Sequence, residues 1–122
     1  MGLLTAIDTR GVIVTSKGSG ETFASSENGG RDGGVDFQSR FFAPRMGIDE
    51  DPVTGSAHCC LGPYWSSKLG RDSLVGYQAS ARGGKVRVKI VQEEENVRVL
   101  LQGQAVTVFR GLFRRPAMTT NL

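Results

Sequence analysis

The sequence predicts an α+β domain in which six or so strands make a small β-barrel, or a strongly curved sheet, wrapped around one central buried helix. Three observations point there. Gly is 17 of 122 residues, about twice the usual ~7%, while Pro is only 4, which reads as many tight turns between short strands. Only one stretch, from Ala57 to Leu69, keeps a helical rhythm of apolar residues. In the final third, Val86, Val88 and Ile90 alternate with Arg87 and Lys89, the signature of a half-buried strand. A hydrophobic share of 39% with 22% charged residues suits one soluble domain spanning 1–122 with a single core.

In chain order, Gly11–Thr15 is a β-branched run bounded by Gly and reads as the first strand. Ser16–Gly34 is Ser-, Asn- and Gly-rich with almost no apolar content, an exposed loop. Val35–Ala43 carries Phe37, Phe41 and Phe42 and is stopped by Pro44, a second strand followed by the loop Arg45–Val53. Thr54 is placed to cap the helix and Gly70 to end it. Apolar residues at Ala57, Cys60, Leu61, Tyr64, Trp65 and Leu69, with no charge before Lys68, predict a helix buried on every side and kinked by Pro63. Leu74–Ser80 is a strand closed by the turn Arg82-Gly83-Gly84. The strands of Val86–Ile90 and Val97–Leu101 are joined by the solvated turn Glu93–Asn96. Gln102-Gly103 turns the chain into a last strand, Ala105–Arg110, and 111–122 is a tail.

Fifteen Lys and Arg against twelve Asp and Glu leave a net charge of +3. That excess is too small to require nucleic acid, and the basic residues of the last third alternate outward with no aromatic platform between them. The longest uncharged stretch, Pro52–Ser67, is too short and too polar to cross a bilayer, so no membrane partner is expected. The N-terminus lacks a basic region and a sustained apolar run, and a cytoplasmic protein is expected. Cys59 and Cys60 are neighbours, unsuited to a structural disulfide, and are expected as buried, reduced thiols. With His58 they would point about 100° apart on a helix, so no metal site is expected. Gly18-Ser19-Gly20 lacks the third Gly and the following helix of a dinucleotide fingerprint and is discounted as one.

The stretch Asp49–His58 is the place for chemistry. Three carboxylates precede a helix start whose free N–H groups favour negative charge, and small residues at 55–57 admit a ligand close to the backbone. The physical reading is an anion pocket on the N–H groups, with Ser56 as hydroxyl partner and Asp51 as acid or base. The plainer alternative is that Asp51 and Thr54 only cap the helix, and His58, one turn in, reads as a packed and hydrogen-bonded histidine.

Asp36–Pro44, Gly47–His58 and Gln78–Gly84 together resemble the phenazine-biosynthesis-like isomerase family, over roughly 11–110. The resemblance implies a diaminopimelate epimerase-like fold: two similar lobes, each a barrel around a helix, with the active site between them. It implies cofactor-independent proton transfer on a small carboxylate-bearing substrate. By motif position Asp51 is the catalytic residue, with Thr54, Gly55 and Ser56 binding substrate. Only the second, C-terminal lobe is matched, and the family's principal acid–base glutamate belongs to the first. Two functions follow: a lobe that is weak or inactive until a complementing lobe joins it, or a non-catalytic small-anion-binding or protein-interaction module. Because the two lobes of the fold present equivalent faces, a lobe alone is expected to pair as a homodimer about a C2 axis, with Asp51 opposite Asp51.

Overall fold

A computed structural model describes residues 2–18 and 34–115. A short helix α1 (Gly2–Thr5) precedes β1 (Val12–Lys17) and β2 (Phe37–Ala43); a 3-10 turn at Pro44–Met46 leads into β3 (Ile48–Asp51). Helix α2 (Gly55–Leu69) follows, then β4 (Ser73–Gln78), β5 (Gly84–Gln92) and β6 (Val97–Gln102). The strands form one sheet in the order β1-β2-β4-β5-β6, with β3 also on β2. All pairs are antiparallel except β2 with β4. Since β1 occupies one edge of β2 along Phe37–Phe42, β3 and β4 must share the other. The sheet therefore forks: β4 pairs with the first half of β2 (Phe37–Ser39) and β3 with the second (Phe41–Ala43).

Helix α2 packs on the inner face of β4, β5 and β6. Phe37, Ala57, Leu61, Trp65, Leu74, Val86 and Val88 make the core. Phe37 and Trp65 stack nearly parallel, 6.0 Å between ring centroids, and the Trp65 indole N–H donates to Thr15 Oγ1 at 2.9 Å, which ties the helix to β1. Gly62 lets α2 approach β5: a Cβ there would fall 2.6 Å from Val88 Cγ1. Gly70 closes the helix at a φ of 65°, its N–H on the Ser66 carbonyl, a conformation Gly adopts without steric cost. The alternation expected in β5 is present, with Val86 and Val88 buried and Arg87 and Lys89 exposed.

Five expectations change. The stretch Arg45–Val53, expected as a loop, holds the end of the 3-10 turn and all of β3, because the second half of β2 offers Ile48–Asp51 an unpaired edge. The sheet is open, not a closed barrel, because β1 and β6 do not meet. Helix α2 is buried on one side only: Ala57, His58, Leu61, Gly62 and Trp65 face the sheet, while Cys59, Cys60, Pro63, Tyr64 and Ser67 face outward. A single open layer covers only one face of a cylinder, so the lack of charge on the other face did not signify burial in this chain. The two cysteines are accordingly free and exposed, not buried. Residues 103–115 form no strand and are exposed throughout. Gly103 lies outside the left-handed region that a tight two-residue reversal needs, so the chain leaves β6 without folding back on it. Most of the expected loop 16–34 lies outside the described residues, and β1 already extends through its first two. No helix among the described residues is long and apolar enough to cross a membrane.

Candidate functional site

The fork in the sheet places the site. Asp51 ends β3 opposite Phe41, Gln78 ends β4 opposite Ser39, and the loop Pro52–Thr54 leads from β3 into the first turn of α2 beside both. Gln78 is fully buried and spans this gap. Its Oε1 accepts the Thr54 N–H at 2.7 Å, and its Nε2 donates to the Asp51 carbonyl at 2.8 Å and to Thr54 Oγ1 at 3.0 Å. An N–H partner can only be met by the amide oxygen, so the chemistry fixes which way the Gln78 carboxamide points.

Thr54 is engaged at every polar atom. Because Oγ1 already accepts from Gln78, its hydrogen is free to donate to Asp51 Oδ2. The Thr54 carbonyl accepts the His58 N–H at 3.4 Å, opening the helix, and also the His58 ring Nδ1 at 2.7 Å. A carbonyl cannot donate, so Nδ1 carries the imidazole proton and Nε2 is left bare. Nε2 is buried with no hydrogen-bond partner, facing Phe37 and the backbone of Gly76. Burial holds His58 below the ordinary histidine range, only partly opposed by the bond to Thr54.

A second clamp holds the same loop. Ser80 Oγ donates to the Pro52 carbonyl at 2.7 Å and accepts the Gly83 N–H at 3.0 Å. Gly83 has a φ of 70°, and a Cβ at Gly84 would meet Val53 Cγ2 at 2.4 Å. The Gln78–Gly84 segment thus grips 51–54 from across the fork.

Of the three carboxylates read from the sequence, one belongs to the helix start. Glu50 is held by Arg40 of β2, Nε to Oε1 at 2.7 Å and the second nitrogen to Oε2 at 2.8 Å, and this pair keeps the Glu50 carboxyl below its usual range. Asp49 is exposed. Asp51 is half-buried, fixed at Oδ2 by Thr54. Gly55 and Ser56 are exposed at the helix N-terminus, where the first N–H groups have no carbonyl one turn back to bind. Thr54 stands at the N-cap position yet makes no side-chain cap, its hydroxyl being committed to Asp51. Asp51, Thr54, Gly55 and Ser56 are thus brought together, and Gln78 and Ser80 of the Gln78–Gly84 segment join them: the resemblance marked that segment, but a spacing of 24 residues or more carries no signal of contact, so neither was read as a site residue. His58 is the packed, hydrogen-bonded residue expected, and among the described residues no group of three His, Cys, Asp or Glu could hold a metal ion.

Residues 7–111 match the family model described as phenazine biosynthesis-like protein. The chain is similar to an uncharacterized isomerase of Halalkalibacterium halodurans, 51% identical over 108 residues, covering 88% of this chain and 35% of the relative. An uncharacterized isomerase of Pseudomonas aeruginosa is 46% identical over 91% of this chain and 36% of its own length. A human phenazine biosynthesis-like domain-containing protein is 41% identical, over 84% and 32%. A solved structure of a phenazine biosynthesis PhzC/PhzF protein from Clostridium difficile superposes with a TM-score of 0.62 at 37% identity, over 87% of this chain and 34% of that one. The chain spans about a third of the length of the relatives it matches.

Proposed function

The chain belongs to the phenazine biosynthesis-like protein family, and from that premise we propose that it is an isomerase-family lobe binding a small carboxylate-bearing substrate for cofactor-independent proton transfer. The observation that carries this reading is the join between β3 and α2. Asp51 is held at one carboxyl oxygen by the Thr54 hydroxyl, beside the open first turn at Gly55 and Ser56. A substrate carboxylate would take the N–H groups of that turn, where the helix dipole favours negative charge, with the Ser56 hydroxyl as a further donor. Oδ1 of Asp51 would take or return the proton, its partner oxygen being occupied. The N–H groups would also stabilise charge developing on the substrate as the proton leaves.

Alone, the lobe is a binder more than a catalyst. Its relatives are about two and a half times as long, and the family resemblance puts a second acid–base group, a glutamate, in a first lobe that these residues do not match. Titration with small carboxylates, followed at the amide resonances of Gly55 and Ser56, tests the reading. Both should shift together, and Ser56→Ala should weaken binding by the ~0.5–1.5 kcal/mol of one hydrogen bond. Amides that stay still at millimolar carboxylate overturn it.

A further inference from the structure

The described residues after β6 carry an unexplained feature. Val106, Val108 and Phe109 are each more than four-fifths exposed in a segment whose β-branched pattern reads as a strand but which pairs with nothing among the described residues. Among the described residues β6 ends the sheet, bonded only to β5, with Val97, Leu100 and Leu101 exposed along it. A long apolar edge beside an unpaired strand-forming segment is a template for strand addition. In this structure the segment does not fill its own edge: Gly103 is outside the left-handed conformation of a tight reversal and the chain runs on past β6.

We infer that residues 105–110 pair with β6 of a second copy of this chain, antiparallel and reciprocally, about a C2 axis between Gly103 and Gln104. The lengths match: β6 has six residues, as does 105–110, and the two are separated by two. The axis fixes the register, setting Gln102 opposite Ala105, Leu101 opposite Val106, Leu100 opposite Thr107, Val99 opposite Val108 and Val97 opposite Arg110. Directly opposed residues of an antiparallel pair share a face. Val99 packs toward the core, and Leu101 lies beside Gly55 of α2, so Val106 and Val108 would join them on the helix side. There they would extend the apolar layer next to the uncovered face of α2, while Phe109 would lie outside, opposite Arg98. A register one residue away would turn both valines to solvent. With two tails and two receiving edges, each copy both gives and receives a strand, so the contact is made twice about the one axis. This edge gathers six exposed large apolar residues, Val97, Leu100, Leu101, Val106, Val108 and Phe109, against Met46 and Ile48 on 45–53, so the axis belongs here.

Sedimentation of the whole chain at tens of micromolar is the test, with twice the 13.1 kDa chain mass expected. Val106→Lys with Val108→Lys should give a monomer that still unfolds cooperatively in urea, since neither side chain is in the core. With Cys59→Ser and Cys60→Ser as background, chains bearing Leu100→Cys should cross-link on oxidation to chains bearing Thr107→Cys, and neither should cross-link alone. A monomer would overturn the inference and leave the edge to a different chain. A dimer that survives the paired lysines, or that cross-links in no mixture, would overturn this seam and register.

Discussion

Gln78 is the residue on which the site depends most. Its carboxamide holds the Thr54 N–H, the Asp51 carbonyl and the Thr54 hydroxyl at once, and it is fully buried. Gln78→Leu keeps the size of the side chain but strands all three partners, and should cost about 2–4 kcal/mol in urea unfolding. Thr54→Val should remove the bond to Asp51 while leaving the backbone grip of Gln78 intact, so its cost should be smaller. His58 makes stability depend on pH. Its folded-state pKa is depressed by burial, so the unfolded chain binds the proton more readily. The contribution is therefore whole above the ordinary histidine pKa of about 6.5 and is lost as pH falls below it. Urea unfolding between pH 7.5 and 5 should show stability declining by at most ~1.4 kcal/mol per pH unit from this group. His58→Asn, which keeps a donor near the Nδ1 position, should flatten that slope. Glu50, also depressed, acts below the carboxylate range and leaves this window untouched.

At the scale of elements, close approach decides which strands and helix meet. Gly76 of β4 sits where a Cβ would lie 2.4 Å from Phe37 Cζ and 3.2 Å from His58 Nε2. Gly76→Ala should therefore push the Phe37 ring against Trp65 and cost about 1–3 kcal/mol, measured by thermal unfolding followed at Trp65 fluorescence. A substitution at Gly47, where a Cβ would meet nothing within 4 Å, should be costly only through its left-handed φ of 77°. The ends of β2 and α2 and the turn of the β5–β6 hairpin were legible because each rests on local chemistry. Pro44 stops β2, Gly70 ends α2, and Glu93 and Asn96 close the hairpin through paired backbone bonds of 2.8 and 3.3 Å. The strand expected at 105–110 was not, because a β-pattern specifies a willingness to pair and not the presence of a partner edge.

At the scale of the whole molecule, the open sheet has a functional consequence. With Asp51 half-buried and Gly55 and Ser56 exposed, the site is open to solvent, and water screens the charges that proton transfer must stabilise. The chain alone should exchange solvent deuterium into small carboxylic acids no faster than its Asp51→Asn variant, as read by mass spectrometry. Rapid exchange that is lost in the variant would show that Asp51 works without a second positioned group. Anion binding at Gly55 and Ser56 should persist either way, because it draws on the first turn of α2 and not on enclosure.

What the sequence determined by itself was local: the alternation of β5, the helix over 55–69 with Gly70 behind it, and the run from Asp51 to Ser56 at a helix start. These depend on side-chain period, on φ preference and on neighbours in the chain, which a linear string contains. Only the tertiary structure decided that the sheet forks at β2, that Gln78 reaches 24 residues back to Thr54, and that one face of α2 is left bare. Burial and hydrogen bonding across a fork are set by which surfaces meet in space. The uncharged face of α2 reads the same in sequence whether a second layer covers it or not.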